Sequence, residues 1–167
     1  NTSATNALGV NFASLSVSNG ATLQVGVGGA AGAIYTNVAD NGTLVFNRSD
    51  SYTFDKVISG AGGVLQQGDG TLTLSGLNTY GGATTNSAGT LLINAPGSLG
   101  GSGPVAVTGG TLGGSGTIHG PVALSAAATL APGGAGTVGT LTLADGGSGA
   151  LTLNGGKLLF DLSSVSG

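Results

Sequence analysis

One short element recurs along the chain: a glycine, then a small residue, then Leu at the start of an alternating run. Examples are GTLVF at Gly42, GTLTL at Gly70, GTLLI at Gly89, GGTLGG at Gly109 and GTLTL at Gly139. Within the run at Gly70 the period is two, so Leu72 and Leu74 share one face while Thr71 and Thr73 share the other. The element predicts short β-strands that bury a Leu face and expose a Thr and Ser face.

The spacing of these elements predicts how they stack. Leu23 to Leu44, Leu91 to Leu112 and Leu130 to Leu151 are each 21 residues apart. A recurrence of about 20 residues, in units that cannot bury their own apolar face, is typical of a solenoid. With two or three strands per coil, we expect about seven to nine rungs and a rod about 35–45 Å long.

The whole chain, residues 1–167, is expected to form a single β-solenoid domain or a fragment of a longer one, with its repeat core at residues 60–93. Asn19-Gly20, Asn41-Gly42 and Asn154-Gly155 suit corners that require positive φ. Between Asn94 and Pro121 the glycine-rich sequence allows more than one placement of the corners, so the register of these rungs stays open.

Composition excludes several classes of function. The chain has 36 glycines, three Lys or Arg and no Cys, and 5% of its residues are charged, against roughly 25% in an ordinary globular protein. Three positive charges argue against nucleic-acid binding, which needs basic clusters. The apolar runs are shorter than the roughly 18 residues of a membrane span, so no membrane insertion by this segment is expected. The start lacks Met and a leader, which indicates a processed product or a piece of a longer protein.

The segment GAGGVLQQGDGTLTLSGLNTYGGATTNSAGTLLI, residues 60–93, carries a family resemblance. It resembles the passenger-associated transport repeat, also called the autotransporter-associated β-strand repeat, through residues 70–76, Asn78, Tyr80 and residues 88–91. Flanking sequence extends the similarity to roughly residues 19–162. Polar Asn86 departs from the Ile or Val of the pattern, so it either faces outward or joins an asparagine ladder.

The resemblance implies an all-β, right-handed parallel β-helix from an autotransporter passenger domain, located extracellularly or on the bacterial cell surface. In similar proteins the repeat acts as a stalk and is thought to assist folding during export. Function then lies in an adhesive loop or in another part of a longer protein, and a host or matrix surface becomes a possible partner.

Candidate chemistry is sparse. The six carboxylates could pair across rungs for acid and base work, but four of them lie in turn contexts in which Asp bonds its own backbone; the six are Asp40, Asp50, Asp55, Asp69, Asp145 and Asp161. The single histidine, His119, is expected to be an exposed turn residue because a metal site generally needs several ligands. We therefore predict no enzyme activity, no catalytic residue, no metal and no cofactor.

One local group of residues stands out as a candidate polar surface cluster: Arg48, Asp50, Tyr52, Phe54 and Asp55. It is the single place where aromatic and charged residues concentrate, since the other aromatic residues are spread along the chain. A small binding site is the functional interpretation. The alternative is that the stretch is simply part of the solenoid.

Two functional classes follow. In the first, the chain is a structural stalk or adhesive passenger segment. In the second, it is the protomer of a self-assembling extracellular fibre or matrix, which stacks end to end through exposed solenoid edges. A polysaccharide-cleaving enzyme is a distant third.

Overall fold

The computed structural model describes residues 13–101, 103–144 and 150–161, and within these ranges the chain forms strands and turns but no helix. None of these residues therefore belongs to a helix that could cross a membrane. In chain order the strands are β1 (Leu15–Val17), β2 (Thr22–Gly29), β3 (Val38–Asp40), β4 (Thr43–Arg48), β5 (Ser51–Phe54), β6 (Ile58–Ser59), β7 (Gly63–Gln66), β8 (Thr71–Leu74), β9 (Leu77–Asn78), β10 (Thr84–Asn86), β11 (Thr90–Ile93), β12 (Ser98–Leu99), β13 (Val105–Val107), β14 (Gly110–Gly114), β15 (Thr117–Ile118), β16 (Val122–Ser125), β17 (Ala128–Pro132), β18 (Thr142–Leu143), β19 (Leu151–Asn154) and β20 (Lys157–Leu158).

The strands stack into three parallel faces that wind around one core. The seven-stranded sheet has the order β19-β16-β13-β10-β7-β4-β2, and the six-stranded sheet has the order β20-β17-β14-β11-β8-β5. The third face consists of a sheet of β1, β3 and β6 followed by a sheet of β9, β12, β15 and β18. Every pairing between these strands is parallel. The fold is an all-β parallel β-solenoid, as the sequence predicted.

The number of turns is lower than predicted. The seven strands of the longest sheet are joined by six steps from one strand to the next, so the described coil has about six turns and not seven to nine. At about 4.8 Å per turn, the described rod is about 30 Å long. The prediction was wrong because it divided the whole chain by the repeat length. One turn is longer than the repeat: residues 133–141 separate β17 from β18, and Val122 pairs with Leu151, 29 residues further on. In another turn, residues 30–37 separate β2 from β3 without adding a strand. The right hand of the coil stays a prediction from the resemblance.

Apolar side chains form continuous stacks inside the coil because each pairing is in register. Leu72 pairs with Leu91, Leu91 with Leu112, and Leu112 with Leu130. All four side chains are buried. Each adjacent strand therefore covers the apolar face that its neighbour cannot bury alone, which is the physical basis of a solenoid.

Two features of the predicted register are now resolved. Leu23 pairs with Leu44 as its spacing predicted, but Leu130 pairs with Leu158, not with Leu151. Leu151 instead lies beside Val122 in the seven-stranded sheet. The equal spacing was misleading because successive faces of one coil carry the same Gly-Thr-Leu element. The open register between Asn94 and Pro121 is settled by the pairs Ile93 with Gly114, Ser98 with Thr117, and Val105 with Val122.

The Asn-Gly corners differ from one another. Gly20 and Gly155 have φ values of 77° and 85°, as predicted for residues in the left-handed region. Gly42 does not have positive φ, so that part of the prediction was wrong. Glycine is required there for space, since a Cβ at this position would collide with the backbone oxygens of Ala21 and Ser18.

We expect Leu91→Ala to lower the free energy of unfolding by about 2–5 kcal/mol, because it opens a cavity in the middle of the Leu stack. Leu77→Ala is the matched control, since the Leu77 side chain is 58% exposed. It should change stability by less than about 0.5 kcal/mol. Urea unfolding followed by circular dichroism measures both. Equal losses in the two variants would contradict the stacked core.

Candidate functional site

Three of the five predicted cluster residues meet at the corner between β4 and β5, which we call the Arg48 corner (Arg48, Asp50 and Tyr52). The Arg48 guanidinium donates from Nε to Asp50 Oδ1 at 2.9 Å and from Nη2 to Asp50 Oδ2 at 2.8 Å. Its central carbon lies 4.8 Å from the centroid of the Tyr52 ring. A bidentate pair combined with a cation–π contact gives the guanidinium one fixed orientation.

The Arg48 corner fixes the position of the loop at residues 30–34 through hydrogen bonds to the loop backbone. Arg48 Nη1 donates to the Gly32 carbonyl and Nη2 donates to the Ala30 carbonyl. The Tyr52 hydroxyl accepts a hydrogen bond from the Ile34 N–H at 2.9 Å and donates to the Ile34 carbonyl at 3.0 Å. Since β5 is the edge strand of the six-stranded sheet, the loop lies beside an edge that is otherwise available for pairing with another chain.

The other two cluster residues lie elsewhere. Phe54 is buried in the core, with its ring centroid 6.0 Å from that of Phe46. Asp55 is exposed and forms an ion pair with Lys56, with Oδ2 and Nζ 3.2 Å apart. Along β5, Tyr52 and Phe54 point inward while Ser51 and Thr53 point outward. Tyr52 lies nearer to the corner at Arg48, and Phe54 lies two residues further into the core. Phe54 therefore serves the core, and Asp55 belongs to the surface next to the Arg48 corner.

An open groove adjoins the Arg48 corner. It has a volume of about 370 Å³ and is lined by Ile34, Tyr35, Tyr52, Thr53, Asp55 and Lys56. The Tyr35 side chain is 56% exposed. An exposed tyrosine ring, a hydroxyl, a carboxylate and an ammonium group together suit a small polar ligand better than an apolar one.

Electrostatics at the Arg48 corner follow from these contacts. The hydrogen bonds from Arg48 hold the pKa of the Asp50 carboxyl below its usual value, because they stabilise the carboxylate. Burial raises the pKa of the Tyr52 hydroxyl, and the bond to Ile34 and the charge of Arg48 oppose that shift. Both groups therefore keep their ordinary charge states at neutral pH, and neither is prepared for proton transfer.

Sequence reasoning missed a set of polar side chains that lie inside the coil: Asp40, Gln66, Asn78, Thr84 and Asn86. Asn86 neither faces outward nor joins an asparagine ladder, because its in-register neighbours are Gln66 and Val107. Gln66 Nε2 donates to the Gly68 carbonyl at 2.8 Å, and Asn86 Nδ2 donates to the Gly109 carbonyl at 3.0 Å. Both amides thus bind corner carbonyls that the strand ladders leave free.

The family motif residues Asn78 and Tyr80 also act inside the coil. Asn78 Oδ1 accepts the Ile58 N–H at 2.9 Å, and Asn78 Nδ2 donates to the Gly76 carbonyl at 3.0 Å. The Tyr80 hydroxyl lies 2.6 Å from Thr84 Oγ1. A partnered amide and a partnered phenol are the arrangement expected of buried polar groups. The motif is therefore structural.

Asp40 is the one fully buried carboxylate among the described residues. Its Oδ1 accepts the Gly42 N–H at 3.0 Å, which is the turn bond that the sequence predicted, while its Oδ2 has no hydrogen-bond partner in the described residues. Burial raises the pKa of the Asp40 carboxyl, and the bond from Gly42 opposes the shift. The buried position was not predictable from the turn context alone.

The remaining acidic residues and His119 do not assemble into a site in the described ranges. No group of three or more His, Cys, Asp or Glu side chains that could hold a metal occurs there. His119 is exposed, as predicted, with Nδ1 3.2 Å from the Leu99 carbonyl oxygen. Asp161 accepts a hydrogen bond from the Gly136 N–H at 2.8 Å. Asp145 lies outside the described residues.

Comparison with known proteins supplies one informative match. No family model and no solved structure matches the chain. Over 107 residues, or 64% of its length, the chain is 44% identical to the Adhesin BmaC autotransporter of Brucella suis biovar 1 (strain 1330), of which it spans 3%. The resemblance to autotransporter passengers is confirmed. The Arg48 corner and the buried amides are thus features of a passenger-like β-solenoid.

We expect Asp40→Asn to stabilise the chain at neutral pH. Because the folded pKa of Asp40 lies above the unfolded value, the contribution of Asp40 to stability is complete below about pH 4 and is lost as the pH rises through the folded pKa. The amide keeps an acceptor for the Gly42 N–H and carries no charge, so this loss should disappear. At pH 7, Asp40→Asn should raise the free energy of unfolding by on the order of 1–3 kcal/mol.

Unfolding in urea at several pH values from 4 to about 8 tests this expectation. Asp69→Asn is the matched control, because it removes one negative charge from an exposed position and should leave the pH dependence as it is. A parallel fall of stability in wild type and Asp40→Asn would assign the effect to other groups.

We expect Tyr52→Phe to free the loop at residues 30–34, because it removes the hydroxyl that binds both backbone groups of Ile34. Hydrogen exchange at the Ile34 amide should accelerate, while the free energy of global unfolding changes by only about 1 kcal/mol. Lys56→Ala, which breaks an exposed ion pair, should leave that exchange rate unchanged. Slow exchange retained in Tyr52→Phe would show that other contacts hold the loop.

Proposed function

We propose that the chain is a non-enzymatic, extracellular segment of an autotransporter passenger, which forms a rigid part of a bacterial surface adhesin. The observation that carries the proposal is the 44% identity over 107 residues to an autotransporter adhesin, in a chain whose described residues form a continuous β-solenoid. A scaffold of stacked turns with an open groove beside the Arg48 corner suits attachment better than catalysis.

The physical properties of the chain support an exposed structural role. Its rungs are joined by parallel backbone ladders on all three faces, and its core is a stack of mainly aliphatic side chains with a few aromatic rings. Two ion pairs, Arg48 with Asp50 and Lys56 with Asp55, occur among the described residues. Since screening by salt weakens charge interactions, a scaffold that depends on backbone pairing and apolar burial changes little with the ionic strength of its surroundings.

The adhesive part of the proposal rests on the groove next to the Arg48 corner. The loop at residues 30–34 is fixed by side-chain bonds, so the groove is largely preformed and its ordering costs little on binding. End-to-end stacking into a fibre stays a prediction, since no contact in the structure bears on it.

We expect antibody fragments raised against the purified 167-residue chain to label intact cells of the bacterium that encodes it. The same fragments should reduce attachment of these cells to a host or matrix surface, because they cover the exposed sides of the rod. Fluorescence microscopy and counts of attached cells measure the two effects, and fragments against an unrelated antigen serve as the control. Labelling only after the cells are permeabilised would overturn the proposed location.

A further inference from the structure

The six-stranded sheet carries a straight row of outward hydroxyl groups, which we call the hydroxyl rank: Ser51, Thr71, Thr90, Thr111 and Thr129. Consecutive members are direct partners in the parallel register. Neighbouring strands lie about 4.8 Å apart, so the hydroxyl groups repeat at that interval along the axis of the rod. The rank spans five successive turns.

These side chains point away from the core. They alternate along each strand with buried residues such as Leu72, Leu91 and Leu112, and they are themselves exposed or half-buried. The hydroxyl groups that bond to described residues are others, for example those of Thr84, Thr108 and Ser125. No hydrogen bond to another described residue occupies a hydroxyl of the rank, so these groups are free to bind a ligand.

The surroundings of the hydroxyl rank limit the kind of ligand. The second outward row contains Thr53, Thr73 and then Leu92. It ends at Gly113, where the backbone of Gly134 approaches and covers the sheet. The rank is therefore bordered by two further hydroxyl groups and one apolar side chain on the half of the sheet nearer to β5.

The rank also connects to the groove described above. Thr53 belongs to both the second outward row and the groove, where the exposed ring of Tyr35 lies. Lys157 follows Thr129 in the same register and is the one charged side chain in the row. The surface thus offers periodic hydroxyl groups, an aromatic ring at one end and little net charge.

We propose that the hydroxyl rank and the adjoining groove bind an unbranched, uncharged, β-linked polysaccharide that lies along the axis of the rod. Successive sugars of an extended β-1,4-linked chain advance by nearly the spacing of the turns, so each sugar meets an equivalent hydroxyl group. Tyr35 offers its ring to the apolar face of a terminal sugar. This inference rests on the adhesive role proposed above and names the class of its ligand.

The energetics predict a polymer as the ligand. When a hydroxyl group of the rank replaces a bound water with a sugar hydroxyl, the binding free energy improves little, because the net free energy of one hydrogen bond is small. The binding free energies of several equivalent contacts add when they are made by one continuous ligand. The first sugar to bind carries most of the entropy cost of association, so the following sugars bind at a lower cost. Affinity should therefore rise steeply with the number of sugars, and a disaccharide should bind too weakly to detect.

Isothermal titration calorimetry of the purified 167-residue chain with cello-oligosaccharides, from the disaccharide to the hexasaccharide, tests the proposal. We expect no measurable binding of the disaccharide and clear binding of the hexasaccharide. The triple variant T71V/T90V/T111V removes three hydroxyl groups of the rank and keeps the β-branched shape. It should weaken binding of the hexasaccharide at least about tenfold.

The matched control is the triple variant T43V/T85V/T152V, which changes three threonines of the seven-stranded sheet at positions that face outward by alternation. It should bind the hexasaccharide as wild type does, and urea unfolding of both triple variants confirms that they fold. Tyr35→Ala should also weaken binding. No binding at any length, or equal binding by the two triple variants, would overturn the proposal.

The two proposals can fail separately. If the purified chain binds no cello-oligosaccharide while antibody fragments against it still block attachment of cells, the inference on the ligand is wrong and the adhesive role stands. If the chain binds the hexasaccharide through the rank but antibody fragments do not label intact cells, the ligand site stands and the surface location is wrong.

Discussion

The fold depends on the in-register parallel pairing of one turn with the next. A single turn of about 20 residues has one apolar stripe and unpaired backbone groups on both edges, so it cannot fold alone. Stacking satisfies both needs at once, because the same alignment that joins Leu72, Leu91 and Leu112 into one apolar column also pairs their backbones. Stability is therefore shared among neighbours, and a cavity in one turn weakens the two turns that it contacts.

Buried polar groups refine this pairing. Gln66, Asn78 and Asn86 each bind backbone groups at places where the ladders leave donors or acceptors free. A turn displaced by one residue would turn these amides outward and put other side chains in their places, so the amides favour a single register. Asp40 and Asn86 each keep one buried side-chain oxygen without a partner in the described residues. Asp40 differs from the amides because its burial disfavours a charged form.

The surface divides between a fixed corner and a repetitive face. The Arg48 corner uses a cation, a carboxylate and a phenol to hold the loop at residues 30–34 beside β5, so most of its polar groups are already occupied. The hydroxyl rank is the opposite case, since its groups are equivalent, evenly spaced and not bonded to described residues. Recognition on such a face comes from repetition, which is a property that the solenoid supplies without any specialised residue.

The sequence by itself determined the class of fold, because alternating Leu and Thr with glycine at the corners is compatible only with short strands, and the 20-residue recurrence with stacked turns. It also indicated Arg48, Asp50 and Tyr52 as a cluster and carried the resemblance to autotransporter passengers. Only the tertiary structure decided which Leu pairs with which, as Leu130 with Leu158 shows, and which polar residues are buried, as Asn86 and Asp40 show. The physical reason is that all three faces use the same local element, so the position of a residue relative to the core is set by the lengths of the corners and loops and by the neighbours in adjacent turns.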